Sequence, residues 1–213
     1  MRCAIAARKT LALDMNPVDT FVFDLDGTVT EEELLPRIAA AVGETEAIAD
    51  LTRRTIAGHV PFESSLRERV AILGKAPIAK VAEIVEGVSL NPTILSFLEA
   101  NASRSIIITG NLDVWLTKLA LRLPVPILSS RVTSKNGYIE NFSEIMEKGA
   151  KARMLHAEQL CVVGDGHNDL GMFEIADVAI AYGGVHEPAA SLYAAATHAV
   201  YDPNTLCRLI SQL

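Results

Sequence analysis

Two aspartates follow an apolar run near the beginning of the chain, in the order Asp24-Leu25-Asp26-Gly27-Thr28. Because the two carboxylates are two positions apart after a predicted strand, we expect both on the same side of the chain. Gly27 lets the backbone curl so that its polar groups also face the carboxylates. Such a site can bind a hard divalent cation and leave one carboxylate as a nucleophile or acid–base group. The alternative is an ordinary turn that ends a strand, since Asp and Gly are common turn residues.

Three further segments with polar residues suited to phosphate follow in chain order. A predicted strand ends in Thr109-Gly110-Asn111, where a hydroxyl and a backbone N–H can hold a phosphoryl oxygen. Lys151 lies at the start of a predicted helix and can neutralise phosphate charge, although a lone surface lysine is the commoner situation. Another strand runs into the glycine-rich acidic turn at 164–169. Open parallel sheets bind ligands at the carboxyl ends of their strands, so these segments are expected to converge.

The apolar pattern predicts an α/β protein. Short apolar runs without polar alternation are typical of strands buried on both faces, and here they alternate with helical patterns. This alternation predicts a doubly wound parallel sheet joined by right-handed crossovers. Residues 131–142 add a β-hairpin, since Asn136-Gly137 favours a two-residue turn. The predicted strands are 20–25, 105–109, 125–128, 160–163, 178–181 and 198–201, and the predicted helices are 93–101, 112–121, 150–157, 169–176 and 204–213.

One long segment interrupts this alternation. Four amphipathic helical patterns follow one another between residues 31 and 86, without a convincing strand. We therefore predict a helical cap at 31–87, inserted into an α/β core formed by 1–30 and 88–213. The connections near Thr30 and Gly87 would be the hinges.

Composition limits the possible partners. The chain has 213 residues, half of them hydrophobic, which is enough for one substantial core with a modest insertion. Its net charge of -7 disfavours nucleic acid and anionic membranes, so a bound anion must be held by a local site. Cys3, Cys161 and Cys207 lack paired spacing and are interpreted as reduced thiols in a cytoplasm. Two basic residues interrupt the apolar N-terminus, which argues against a targeting signal. Residues 1–14 are either a start-site artefact or a docked helix.

The order and spacing of the four segments resemble the haloacid dehalogenase superfamily, and within it the phosphoserine phosphatases, from about residue 20 onward. The resemblance implies a Rossmann-like core and Mg²⁺-dependent phosphomonoester hydrolysis, with L-phosphoserine as the expected substrate and a role in serine biosynthesis. Asp24 would attack phosphorus, and Asp26 would protonate the leaving alkoxide and then deprotonate water. A monomer or homodimer is expected.

The resemblance also assigns the remaining site residues. Mg²⁺ would be held by Asp24, the backbone carbonyl of Asp26 and Asp165, with Asp169 as a supporting carboxylate. The residues expected to hold the phosphoryl group are Thr109, Gly110, Lys151 and Asn168.

Substrate choice would come from the cap. In the phosphoserine phosphatases a Glu near the first motif pairs with the substrate ammonium, and an Arg in an F-E-x-S-L-x-x-R-V segment binds its carboxylate. Glu33, Phe62 and Arg69 occupy the matching positions. The alternative is a solvated helix face that carries Glu32, Glu33, Arg67 and Arg69 without a ligand.

Two residues depart from the family pattern. Asn111 stands where these phosphatases usually have glycine, and His167 stands where a small residue is more usual. Asn111 motivates an alternative function, namely hydrolysis of another small phosphorylated metabolite or phosphotransfer to an alcohol. A catalytically silent phosphate-binding protein is the third hypothesis.

Overall fold

The computed structural model describes residues 17–56 and 59–213, so the expectations about residues 1–14 and Cys3 lie outside the described part. Its centre is a seven-stranded sheet in the order β4-β3-β2-β1-β5-β6-β7. All neighbouring strands are parallel except β3 and β4, which are antiparallel. This arrangement confirms the predicted parallel α/β sheet. The strands are β1 (Thr20–Phe23), β2 (Ser105–Leu112), β3 (Ile127–Lys135), β4 (Tyr138–Glu144), β5 (Leu160–Gly164), β6 (Val178–Tyr182) and β7 (His198–Val200).

The predicted hairpin is present, but its first arm is not a separate strand. β3 pairs with β2 between Ile127 and Ser130 and then continues past the end of β2 to pair with β4. Its turn contains Asn136 and Gly137 at φ 54° and 83°, which are the positive values that a two-residue hairpin turn needs.

Strand β1 is buried on both faces because apolar layers cover both sides of the sheet. Phe21 and Phe23 pack in the larger layer, where the ring of Phe97 lies 5.1 Å from that of Phe21 in an edge-on arrangement. Val22 points to the opposite layer. Since both faces are apolar, the polar residues of β1 are restricted to its ends, where the functional aspartates follow.

The segment after β1 is helical, as predicted. It contains α1 (Leu34–Val42), α2 (Thr45–Ile56), α3 (Phe62–Leu73) and α4 (Ile78–Glu86). The segment that leads from the sheet into the four helices lies beside the segment that leads back, since Thr30 and Leu90 form an isolated antiparallel bridge. The N–H of Glu31 also donates to the carbonyl of Ser89 at 2.9 Å. The two predicted hinge segments therefore lie next to each other at the base of the four helices.

The remaining helices cover the sheet. Asn91 and Asp202 cap α5 and α10 by accepting backbone N–H groups, and a proline follows each cap. Helix α6 is shorter than predicted because the chain continues as a 3₁₀ turn at 119–122, and α9 was not predicted. No helix within residues 17–56 or 59–213 is long and apolar enough to cross a bilayer. These helices are α5 (Pro92–Ala100), α6 (Asp113–Leu116), α7 (Lys148–Arg153), α8 (Leu170–Phe173), α9 (Ala190–Ala195) and α10 (Pro203–Ile210).

Candidate active site

The polar segments converge where the central strands end. β1 lies between β2 and β5, so the aspartates that follow β1 have residue 109 on one side and residue 165 on the other. In a doubly wound sheet this is the switch point, where connections diverge and leave a crevice. The topology thus brings together three of the four segments that the sequence singled out.

A buried lysine lies at the centre of this crevice. The ammonium of Lys148 contacts the carboxylates of Asp24 and Asp169, the latter at 2.6 Å, and all three side chains are almost fully buried. Burial raises the pKa of Asp24 well above its usual value, while Lys148 opposes that shift. Burial also disfavours the charge on Lys148, but the carboxylates of Asp169 and Asp24 outweigh it and raise the lysine's pKa. Lys148 therefore stays charged and partly neutralises the two acids.

The structure does not place Lys151 in this crevice. Its ammonium lies 3.2 Å from Glu144 of the hairpin and is partly exposed, whereas Lys148 lies in the crevice beside Asp24. The cause is the start of α7, which the apolar pattern placed at residue 150 and which lies at Lys148. Glu147 fixes this start by accepting the N–H groups of Gly149 and Ala150. Glutamate is not among the residues preferred at a helix N-cap, so the sequence carried no strong signal for this start.

Asp169 holds the turn after β5 in place. Its Oδ2 accepts the N–H groups of Asp165 and Gly166, each at 3.0 Å, and its Oδ1 binds Lys148. Asp169 therefore supports the turn and Lys148. Burial raises the pKa of Asp165 to about 6, despite its hydrogen bond with a histidine. Asn168 lies in the single 3₁₀ turn at 167–169 that follows.

Asp26 has donors on both carboxylate oxygens. The N–H of Leu34 donates to Oδ1 at 3.0 Å, and the side-chain amide of Asn111 donates to Oδ2 at 2.5 Å. The hydroxyl of Thr109 is 3.3 Å from the same Oδ2. Burial and the nearby charge of Glu33 raise the pKa of Asp26 to about 7. A carboxyl group with that pKa can both give and take a proton near neutral pH.

A glycine is required at position 27, between Asp26 and the side chain of Asp165. Its φ of 69° is in the left-handed region, and a Cβ there would lie 2.6 Å from Oδ2 of Asp165. The glycine therefore permits both the turn and the close approach of the two acidic segments.

Two cap residues face this crevice. The ring of Phe62 packs directly on Gly110, where a Cβ would be 2.5 Å from the ring. Arg69 is largely buried, and its Nε has no hydrogen-bond partner among the residues that the structure describes. Burial lowers the pKa of Arg69. The nearby negative charges of Glu33 and Asp26 oppose that shift.

The solvated-face alternative describes Arg67 but not Arg69. Arg67 forms an exposed ion pair with Glu63, one turn earlier on α3, at 2.8 Å. Arg69 has no salt bridge in the described part of the chain, and its one described side-chain contact is a long hydrogen bond of 3.4 Å to Thr55. Its guanidinium is thus available for a carboxylate.

His186 is a site residue that the sequence analysis missed. Its Nε2 lies 2.8 Å from Asp165 and 2.9 Å from Glu33, although it belongs to the loop after β6. Hydrogen bonds with these two carboxylates raise its pKa to about 11. No motif or spacing marked this loop. His167, by contrast, is exposed and its Nδ1 lies 2.8 Å from Ser191, so it turns toward α9.

The donor set fits a hard cation. Buried carboxylate oxygens of Asp24, Asp165 and Asp169 all lie within 4.8 Å of one another. An all-oxygen set of this kind is typical of Mg²⁺ sites. Both carboxylate oxygens of Asp169 have partners, namely Lys148 and two N–H groups. Asp24 and Asp165 each have one oxygen bound, to Lys148 and to His186, and one oxygen without a hydrogen bond in the described part of the chain, so these two carboxylates are the better metal ligands.

The comparisons with known proteins agree with this geometry. A family model for haloacid dehalogenase-like hydrolases matches residues 21–174, so the chain belongs to that family. The chain is 29% identical over 176 residues to a phosphoserine phosphatase of Methanocaldococcus jannaschii, across 76% of this chain and 83% of that protein. A phosphoserine phosphatase of Homo sapiens is 28% identical over 184 residues, across 78% of this chain and 82% of that protein.

A solved structure extends the likeness to the fold. It is described as a phospho-aspartyl intermediate analogue of phosphoserine phosphatase and matches with a TM-score of 0.77 at 24% identity. The match covers 91% of this chain and 99% of that one. The two proteins therefore share a fold over most of their length.

Proposed function

We propose that this protein hydrolyses L-phosphoserine to L-serine and inorganic phosphate through a phosphoryl group carried by Asp24. The observation that supports this most strongly is the buried contact of Asp24 with Lys148, next to Asp26 with its pKa near 7. Nucleophile, cation and acid–base group are thereby assembled at one strand end. The likeness to named phosphoserine phosphatases supports the choice of substrate.

The proposed reaction has two displacements. An Oδ of Asp24 attacks phosphorus, the P–O bond to the serine oxygen breaks, and Asp26 gives its proton to that oxygen. Asp26, now a carboxylate, takes a proton from water as the water oxygen attacks phosphorus and the bond to Asp24 breaks. Phosphate leaves, and both carboxyl groups return to their starting states. Lys148 stabilises the negative charge of the transferring group in both displacements.

Mg²⁺ is the proposed cofactor. The residues that would hold it are Asp24, Asp165 and the backbone carbonyl of Asp26. When bound, it would supply positive charge to the phosphoryl oxygens. The residues proposed to hold the phosphoryl group itself are Thr109, the Gly110 N–H, Asn168 and Lys148, the last in place of Lys151.

Residues 31–87 are proposed to act as a cap that selects the substrate and excludes water, while 1–30 and 88–213 form the catalytic core. The guanidinium of Arg69, whose Nε is buried without a hydrogen-bond partner in the described part of the chain, would bind the substrate carboxylate, and Glu33 would bind its ammonium. Phe62, against Gly110, would close the side of the pocket. Movement would occur at the paired connections near Thr30 and Gly87.

A panel of phosphate esters tests the substrate assignment. Phosphate release is measured with L-phosphoserine, phosphothreonine, phosphoglycolate, a sugar phosphate and p-nitrophenyl phosphate, with Mg²⁺ and with EDTA. The expected result is Mg²⁺-dependent turnover with the highest kcat/KM for L-phosphoserine.

Two arginine variants make the panel specific. Arg69→Ala should lower kcat/KM for L-phosphoserine by about 10-fold or more and affect p-nitrophenyl phosphate much less, because one charge-assisted hydrogen bond contributes about 1.5–3 kcal/mol. Arg67→Ala, on the same helix but bound to Glu63 in solvent, is the matched control and should resemble the wild type. Equal losses of both substrates in Arg69→Ala would argue against carboxylate recognition.

A second function has one specific observation in its favour. Glu33, the proposed ammonium ligand, already holds the imidazole of His186 at 2.9 Å. A substrate without an ammonium group, or transfer to an alcohol acceptor, would leave that contact intact. A preference for phosphoglycolate over L-phosphoserine, or a phosphorylated alcohol among the products, would favour this second function.

The partners we propose are small phosphorylated metabolites, with no nucleic acid or membrane. A cytoplasmic location and a monomeric or homodimeric state complete the proposal. Size-exclusion chromatography with light scattering would establish the oligomeric state.

A further inference from the structure

The acid–base carboxyl group of Asp26 is held by two different parts of the molecule. Its Oδ1 accepts the N–H of Leu34, which is the first residue of α1 in the helical insertion. Its Oδ2 accepts the side-chain amide of Asn111, which belongs to β2 of the sheet. Asp26 is therefore oriented from the insertion on one side and from the core on the other.

The contact from Asn111 is built into the core. Asn111 is 6% exposed, and its backbone N–H donates to the hydroxyl of Thr109 at 3.1 Å. The preceding carbonyl, of Gly110, accepts the hydroxyl of the fully buried Ser130 at 2.8 Å. Ser130 in turn accepts the N–H of Met146 at 3.0 Å, near the start of α7. The peptide that carries Asn111 is thus fixed from both sides.

The contact between Asn111 and Asp26 does not depend on the position of the helical insertion relative to the sheet. Any movement of the four helices relative to the sheet would change the distance from Leu34 to Asp26, because Leu34 belongs to the insertion. The distance from Asn111 to Asp26 would not change, since Asn111 lies in β2 and Asp26 follows the neighbouring strand β1. Proton transfer needs a fixed donor geometry, and a misplacement of about 1 Å can cost about 100-fold in rate.

We propose that Asn111 is a positioning residue that orients the Asp26 carboxyl group toward the leaving-group oxygen during proton donation. This inference rests on the proposed function, because it assigns Asp26 the role of the acid in the first displacement. It gives Asn111 a role in the chemical step, separate from binding of the phosphoryl group.

The role proposed for Asn111 predicts that its loss affects esters with poor leaving groups more than esters with good ones. An alkoxide such as that of serine is a poor leaving group and needs a proton in the transition state, whereas p-nitrophenolate leaves without one. The constant kcat/KM reports the steps up to the first irreversible displacement and so isolates acid catalysis from the later attack of water. A residue that merely supports the pocket would affect both esters alike.

The experiment compares Asn111→Ala and Asn111→Gly with wild type on L-phosphoserine and p-nitrophenyl phosphate in Mg²⁺. Asn141→Ala, on the exposed hairpin, is the matched control. Both Asn111 variants should lose about 10-fold or more in kcat/KM for L-phosphoserine and less than about 3-fold for p-nitrophenyl phosphate, since a general acid contributes about 100-fold or more. Thermal unfolding verifies that the variants are folded, and Asn111→Gly replaces Asn111→Ala if the latter is not.

Several results would overturn the inference. Equal losses on both esters would make Asn111 a general support of the pocket, and an unchanged or higher kcat/KM for L-phosphoserine would show that Asp26 needs no such contact. If wild type hydrolyses another alkyl phosphate and not L-phosphoserine, the substrate assignment fails, and the comparison is made with that alkyl ester. If wild type hydrolyses no ester, both the proposed function and this inference are refuted.

Discussion

Replacement of Lys148 by methionine, which keeps an unbranched side chain as far as the ε position and removes the ammonium, tests the centre of the site. Lys148 contacts Asp24 and Asp169, and its side chain is 2% exposed. Breaking a buried ion pair by removing one partner costs about 3–5 kcal/mol, because the remaining charge stays buried. The orphaned carboxylates can take up protons, so we expect the cost near pH 8 to exceed that near pH 5. Loss of one charge-stabilising group should also lower kcat by about 100-fold to 1000-fold.

Lys151→Met is the matched control three residues away on the same helix. Its partner is Glu144 at 3.2 Å, and both side chains are partly exposed, at 28% and 42%. Pairs of this kind contribute about 0–1 kcal/mol. The assay is urea unfolding followed by the fluorescence of Trp115, the single tryptophan of the chain, together with turnover of L-phosphoserine. Lys151→Met should match wild type in both.

Two results would contradict the role assigned to Lys148. If Lys151→Met abolished turnover while Lys148→Met kept it, the phosphate-binding cation would be the one that the sequence analysis first assigned. If Lys148→Met were as stable as wild type at both pH values, its contacts with Asp24 and Asp169 would not exist in solution.

Three further predictions concern the surroundings of the aspartates. In the metal-free protein the raised pKa values of Asp26 and Asp165, about 7 and about 6, mean that the folded state binds more protons than the unfolded state above about pH 4. The Tm measured in EDTA should therefore fall as the pH rises from about 4 to about 7, and a rising Tm would contradict the assigned directions. Gly27→Ala should destabilise the protein by about 1–3 kcal/mol in chemical denaturation, because residue 27 has φ 69° and its new Cβ would meet Asp165; wild-type stability would show that the turn tolerates a side chain. His186→Ala should lower KM for L-phosphoserine by freeing Glu33, with little change for p-nitrophenyl phosphate; a higher KM would instead make His186 a support for Glu33.

The sheet was predictable because its strands are short apolar runs separated by helical patterns, and Phe21 to Phe23 are buried on both faces accordingly. The site around Asp24 was predictable because its chemistry follows directly after a strand. The carboxyl ends of parallel strands lie along one edge of the sheet. Residues that follow different strands are therefore predicted to lie close together even when they are far apart in the sequence.

The errors arose where position depends on a helix end or a loop. Helix α7 begins at Lys148, whereas its predicted start was residue 150. The lysine that contacts Asp24 is therefore the first residue of the helix, and Lys151, three residues further on, pairs with Glu144. His186 comes from an irregular loop whose path is set by packing and not by periodicity. Helix α9 was missed for a related reason, since its six residues are too short to show a helical period.

The proposed covalent role of Asp24 is the central claim, and acid-quenched labelling tests it most directly. Wild type and Asp24→Asn are mixed with ³²P-labelled L-phosphoserine and Mg²⁺, quenched in acid within the first turnover, and digested for peptide mapping. If Asp24 carries the phosphoryl group, the wild type will be labelled on the peptide that contains Asp24. A folded Asp24→Asn variant will show neither label nor phosphate release. Label on another residue, or phosphate release by Asp24→Asn, would contradict the proposed role of Asp24.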